Sequence, residues 1–134
     1  MSIAQWSARL ETGISFVDAQ HQQLFDAVNR LSEAFQEPGM ASQVRRLLDD
    51  LMDQTVAHFR AEEACMQAHG FPGFTAHAGE HARLLRELQR FQGAVEAGQG
   101  LPPGSTAFLM EWLKHHIHES DMAYAPFLKA RGVQ

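Results

Sequence analysis

Seven side chains of metal-ligating type are spread over four segments of this chain: His21; His58 with Glu62; His77 with His81; and His116 with Asp121. Five imidazoles and two carboxylates exceed what one six-coordinate ion can use. Two ions bridged by the carboxylates use all seven and leave a position for a small exogenous ligand. His77 and His81 stand one helical turn apart and suit chelation of one ion, whereas His58 with Glu62 offers a terminal nitrogen and a carboxylate able to bridge. His116 and Asp121 are five residues apart, about 140° around an α-helix, so they are expected to straddle the inward line and reach the ions from two sides. Imidazole-rich sets suit iron, zinc, copper or nickel; carboxylate bridges between octahedral ions favour iron or manganese, which makes iron the first choice. Two ferrous ions, two carboxylates and a bridging hydroxide leave a nearly neutral cluster, of about +1, which an apolar interior tolerates.

Short histidine motifs are weak by themselves. Among eight histidines, roughly half an HxxxH pair arises by chance. His115 and Glu119 form such a decoy, expected to face water with His118 and Lys114. What separates the seven from coincidence is that each falls on the apolar stripe of its own helix.

Those helices are expected at about 18–37, 41–68, 74–97 and 105–130. In the first, Asp18 is a candidate N-cap, and His21, Leu24, Val28, Leu31 and Phe35 step inward by 3, 4, 3 and 4. The second carries Val44, Leu47, Leu51, Thr55, His58, Glu62 and Cys65 on one stripe, and the third Phe74, His77, His81, Leu84, Leu88 and Phe91. The fourth starts after a candidate N-cap at Ser105 and turns Leu109, Leu113, His116, Ser120 and Tyr124 inward; Pro126 is expected to bend or end it. Pro38-Gly39, Gly70-Phe71-Pro72-Gly73 and Gly98 to Gly104 punctuate the chain between them. Four amphipathic helices with short links predict an all-α, up-down-up-down four-helix bundle. Residues 1–17 form an N-terminal arm anchored by Ile3, Trp6, Leu10, Ile14 and Phe16, expected to pack across the bundle.

At 134 residues the expectation is one domain, 1–134, with a sizeable core. A net charge of −5 disfavours nucleic acid and anionic lipid as partners. No apolar run approaches a membrane span, and Met1-Ser2-Ile3-Ala4 does not begin a signal peptide, so a cytoplasmic monomer is expected. The single cysteine, Cys65, excludes an internal disulfide and reads as a small core residue rather than an extra soft ligand. His69, in the loop before Gly70, reads as solvated.

With those residues in place, the chain resembles the hemerythrin family, specifically its single-domain bacterial members. The likeness runs from about Gly13-Ile14 to Tyr124 through Asp18-Ala19-Gln20-His21, His58-Phe59-Arg60-Ala61-Glu62-Glu63, His77 with His81, and Trp112-Leu113-Lys114-His115-His116-Ile117 leading to Asp121. The resemblance implies two iron ions, Fe2+ or Fe3+, with a bridging oxo or hydroxo group. His77, His81 and His116 would hold one, His21 and His58 the other, and Glu62 and Asp121 would bridge both. It further implies reversible dioxygen binding without a haem at the two-histidine iron, with Leu113 lining the oxygen pocket and Phe59, Trp112 and Ile117 as further candidates for its dry wall.

The leading function is therefore an oxygen carrier, store or delivery module rather than an enzyme. The alternatives are a di-iron enzyme reducing oxygen, peroxide or nitric oxide, and a sensor of oxygen, redox state or nitric oxide; small anions are further candidate ligands.

Overall fold

A computed structural model describes residues 6–134 of the chain. Its helices are α1 (Ser15–Gln36), α2 (Ala41–Ala68), α3 (Phe74–Glu96), α4 (Ser105–His116) and α5 (Met122–Lys129), with a π-helical turn, Ile117–Asp121, joining the last two into one rod. No strand occurs among the described residues. α1 packs on α2 and α4, and α2 on α3. The result is the expected all-α four-helix bundle, with the α4–π–α5 rod as its fourth member. Ile3 lies outside the described residues, while Trp6 packs edge-on against Phe25 with ring centroids 5.4 Å apart.

Two sequence expectations are corrected at helix ends. Asp18 is not the N-cap of α1, which starts three residues earlier with Ile14 at the cap. Its carboxylate reaches back instead, accepting from the Thr12 amide (2.8 Å), the Thr12 hydroxyl (2.8 Å) and the Gly13 amide (3.0 Å), which ties the arm to the helix start. Gly13 turns the chain there at φ +85°, where a Cβ would also strike Lys129. Ser105 lies inside α4, because Gly104 at φ +80° occupies the cap, and its hydroxyl donates to the Pro102 carbonyl. Pro126 lies inside the fourth rod, which runs to Lys129, close to the expected end at about 130. It stands on the exposed face, where a missing amide donor costs least.

The α2 stripe also drifts from the expected one. Val44, Leu48, Leu51, Thr55, His58, Glu62 and Met66 are buried, while Leu47 and Cys65 sit half-buried at its edge. Steps of 4, 3, 4, 3, 4 and 4 follow the 3.6-residue period over about six turns, whereas the expected stripe slips to one side. Phe35 and Ser120 are likewise half-buried.

The core is divided. A large apolar cluster includes Leu24, Val28, Leu31, Leu48, Leu51, Phe59, Leu84, Leu88, Leu109, Leu113 and Ile117. A smaller one holds Ile14, Val17, Met66, Tyr124, Ala125 and Leu128. His21 lies between Val17 and Leu24 along α1, and Glu62 between Phe59 and Met66 along α2. A polar layer is thus sandwiched between two apolar ones. Each fully buried large apolar side chain contributes roughly 1.5–3 kcal/mol, and this surrounding packing holds polar groups in a layer that would otherwise hydrate.

Candidate metal centre

All seven side chains identified in the sequence point into that layer, and none is more than 4% exposed. α1 supplies His21, α2 His58 and Glu62, α3 His77 and His81, and the fourth rod His116 and Asp121. The five-residue step from His116 to Asp121 is met by the π-helical turn. An α-helix would splay the two by about 140°; the wider π turn returns Asp121 to the face of His116. The expectation that they approach from two sides is therefore corrected. Their side chains meet, His116 Nε2 lying 3.2 Å from Asp121 Oδ1.

The donor atoms form two groups that share Glu62. In one, Glu62, His77, His81, His116 and Asp121 each present an atom within 4.8 Å of the others; in the second, His21, His58 and Glu62 do so. Asp121 reaches both. Its Oδ1 is 3.0 Å from His77 Nε2 and its Oδ2 is 3.0 Å from His21 Nε2. Glu62 Oε1 lies 3.2 Å from His58 Nε2 and 3.3 Å from His81 Nε2, and its Oε2 lies 3.7 Å from His21 Nε2. His81 Nε2 and His116 Nε2 face each other at 3.1 Å.

These close approaches are largely not hydrogen bonds. His21 Nδ1 and Nε2, Glu62 Oε1, His77 Nε2 and both Asp121 oxygens are buried with no hydrogen-bond partner. Leaving one such group unsatisfied costs about 1–3 kcal/mol, and more if it is charged. Lone pairs aimed at common points satisfy them all at once when a cation occupies each point. Adjacent ligands about 2.1 Å from an octahedral ion stand about 3 Å apart, which is the spacing seen here. The residues present therefore fit a metal centre, and Glu62 and Asp121 are the carboxylates whose oxygens reach both donor groups.

Without metal the layer is a dense set of ion pairs. Burial pulls the His21 imidazole down, but the adjacent Asp121 and Glu62 carboxylates outweigh it and raise its pKa to about 9. Burial opposes charge on Glu62 too, yet His58, His21 and His81 hold it well below the usual carboxylate range. Asp121 is also lowered, with His116, His21 and His77 overcoming both burial and the Glu62 charge. In the metal-free protein His21 is thus a cation at neutral pH. Its raised pKa stabilises the metal-free fold fully below its ordinary value of 6.5 and is lost as pH rises through about 9. The lowered carboxylates contribute above their ordinary range and lose that contribution in acid. Metal must displace the His21 proton, so loading is expected to release protons and to tighten as pH rises from 7 toward 9. Titration calorimetry in buffers of different ionisation enthalpy measures the released protons; a buffer-independent heat would contradict this.

A ring of supporting residues lay outside the sequence expectation. His58 Nδ1 donates to Gln20 Oε1 (2.6 Å), His81 Nδ1 to Glu63 Oε2 (2.7 Å) and His116 Nδ1 to Glu80 Oε1 (2.9 Å), which leaves each Nε2 lone pair free for a cation. Ser120 Oγ donates to the same Glu80 oxygen at 2.7 Å. Tyr124 donates its hydroxyl to Glu62 Oε2. Burial, with the Glu62 and Asp121 charges, pushes that phenol far up, so it stays a donor. Gln20, Glu63 and Glu80 each adjoin a ligand in sequence, and that one-residue offset toward the edge of the inward face is the signal that marks them.

Beside the layer lies a cavity of about 20 Å³, lined by Leu24, Val28, Leu51, Thr55, Phe59, Leu84, Leu88, Leu109 and Leu113. Its one hydroxyl, on Thr55, is committed to the Leu51 carbonyl at 2.7 Å. Leu113 and Phe59 are among its lining residues; Trp112 and Ile117 are not. Trp112 instead stacks on the His116 ring, 4.5 Å between centroids, half-buried against the larger core cluster. Ile117 is fully buried among the larger core cluster. Phe59 also stacks on His81 at 3.6 Å, and Tyr124 on His77 at 5.1 Å, so an aromatic ring backs each histidine of the three-histidine group.

The other candidates stay apart. His115, His118 and Glu119 are exposed, and His69 is half-buried at the end of α2. Cys65 is a half-buried free thiol whose pKa is raised by burial and by the Glu62 charge, and it is in neither donor group. Among the described residues no helix is long and apolar enough to cross a membrane.

A family model described as the hemerythrin HHE cation binding domain matches residues 12–128. The bacteriohemerythrin of Methylococcus capsulatus is 36% identical over 132 residues, covering 97% of this chain and 100% of the relative. The hemerythrin of Siphonosoma cumanense is 31% identical over 119 residues, covering 89% and 88%. A crystal structure of wild-type hemerythrin superposes with a TM-score of 0.89 at 34% identity, covering 94% of this chain and 98% of the other. These likenesses and the buried donor set together establish a metal-binding site.

Proposed function

Since the chain belongs to the hemerythrin family, we propose that it binds dioxygen reversibly at a non-haem di-iron centre, as an oxygen carrier, store or delivery module. The observation that carries this reading is the set of buried, unpartnered nitrogen and oxygen atoms converging from all four members of the bundle. His77, His81 and His116 would hold one iron and His21 and His58 the other, with Glu62 and Asp121 shared. A bridged iron pair, with its oxo or hydroxo bridge, supplies the reversible two-electron chemistry that dioxygen binding needs.

The chain's own residues supply order and dryness. Gln20, Glu63 and Glu80 fix the tautomers of His58, His81 and His116 so that every Nε2 faces inward. Tyr124 steadies the shared carboxylate of Glu62 by donating to its second oxygen. Leu24, Thr55, Phe59 and Leu113 place an apolar void one turn from the ligands. Space of this size holds about one small molecule, and its lining offers no free acid or base for proton transfer. That supports binding over turnover. Among small ligands, nitric oxide and small anions suit the same position; the 1–134 unit is read as one hemerythrin-like domain acting as a monomer.

Leu113→Ala is expected to speed the irreversible conversion of the loaded protein to its diferric form about tenfold or more, because water and protons gain access. The cavity should also cost about 2–5 kcal/mol of stability. Following the decay of the visible spectrum in air measures the first effect, and an unchanged decay rate removes Leu113 from the wall. Oxygen uptake tests the function itself: one dioxygen per two irons, returned on purging with argon, is the expected result. Continued consumption with a reductant present would replace binding by catalysis.

A further inference from the structure

The ring nitrogens that face away from the cluster are not treated alike. On the three-histidine side, His81 Nδ1 and His116 Nδ1 each donate to a carboxylate, Glu63 at 2.7 Å and Glu80 at 2.9 Å. Ser120 Oγ holds the Glu80 oxygen in place at 2.7 Å. On the two-histidine side, His58 Nδ1 donates to the neutral amide of Gln20 at 2.6 Å, and His21 Nδ1 has no hydrogen-bond partner among the described residues. Two anionic acceptors thus stand behind one metal position and none behind the other.

We propose that Glu63 and Glu80 are positioning residues that make the two iron positions electronically unequal, holding the three-histidine position at the lower reduction potential. The proposal deepens the di-iron reading and rests on it. A hydrogen bond to a carboxylate draws the Nδ1 proton outward and makes the opposite nitrogen a stronger electron donor, which favours the higher oxidation state of whatever it ligates. Charge-assisted hydrogen bonds are about twice as strong as neutral ones, so a carboxylate acceptor polarises the ring more than an amide does. The acids are also close enough for their charge to act directly, and with side chains 30% and 33% exposed they are only partly screened by water. Gln20 supplies the bond without the charge. A one-electron oxidant such as ferricyanide therefore takes its electron from the iron at His77, His81 and His116 and is itself reduced to ferrocyanide, leaving the iron at His21 and His58 ferrous. The site where an exogenous ligand enters keeps its reducing electron longest.

Glutamine substitutions separate charge from orientation, because an amide oxygen still accepts from Nδ1–H. Glu63→Gln and Glu80→Gln are each expected to raise the lower of the two one-electron midpoint potentials by at least a tenfold change in equilibrium, about 59 mV. Gln20→Glu should instead lower the upper one, so all three variants narrow the gap. Anaerobic spectroelectrochemical titration of the iron-loaded protein reads both steps, and electron paramagnetic resonance of the half-oxidised form identifies which iron is ferric. Bound iron is counted in each variant, and if one fails to fold the other two carry the test. Unmoved potentials in variants holding two irons overturn the proposal while leaving the di-iron reading intact. A wild-type protein that does not take up two irons overturns both.

Discussion

Stripping the iron with a chelator is expected to lower the melting temperature by on the order of 10 °C or more. A ligand present at a thousandfold over its Kd stabilises a fold by about 4 kcal/mol per site, and for a domain of this size each kcal/mol moves Tm by several degrees. The structural reason is the layer between the two apolar clusters. Metal-free, it leaves His21, His77, Glu62 and Asp121 atoms buried without hydrogen bonds, and its ion pairs form at the cost of desolvating every member. Metal ions satisfy those atoms together and cancel the like charge of the two carboxylates. Differential scanning calorimetry on loaded and chelated protein at pH 7 gives the comparison. Equal melting temperatures would mean that the layer is self-sufficient, and the metal reading would lose its energetic basis.

Asp121→Asn should reduce bound iron from two per chain to one at most. Asp121 is the side chain whose two oxygens face different halves of the site, Oδ1 toward His77 and His116 and Oδ2 toward His21. An amide at that position keeps one oxygen, loses the negative charge and turns a non-ligating nitrogen toward one half. Losing even an outer partner of a metal ligand costs roughly 10–100-fold in affinity, and a shared ligand serves both ions. Elemental analysis after anaerobic loading reads the count, with circular dichroism confirming the helical fold. Two irons retained at wild-type affinity would remove Asp121 from its shared position.

The ligand set and the bundle were legible because both follow from one periodicity. An apolar stripe at 3.6 residues defines each helix, and a histidine or acid on that stripe has to be buried, so His21, His58, Glu62, His77, His81 and His116 could be picked out from face alone, with Asp121 joining them only by its five-residue step from His116. The π turn was not legible. Nothing in Ile117–Asp121 announces wider winding, and only the convergence of His116 with Asp121 in three dimensions calls for it. Asp18 misled for a related reason: its carboxylate has the chemistry of a cap, but its donors are at Thr12 and Gly13, before the helix it was assigned to start. Trp112 is a wall candidate through the family resemblance, yet one residue from Leu113 is 100° of helix, and its ring stacks on His116. The partners of the ligands escaped because Gln20, Glu63 and Glu80 are half-buried and lie beside the inward stripes rather than on them. Their roles exist only across helices: Gln20 on α1 serves His58 on α2, and Glu80 on α3 serves His116 on α4.

The central claim is a paired iron site that binds dioxygen and lets it go. The most direct measurement is anaerobic titration of the metal-free protein with ferrous iron, followed by optical spectra through repeated admission and removal of oxygen. The expected result is a break at two irons per chain and a visible charge-transfer band that appears with oxygen and disappears without it. A break at one iron or none, or a band that forms once and never reverses, would contradict it.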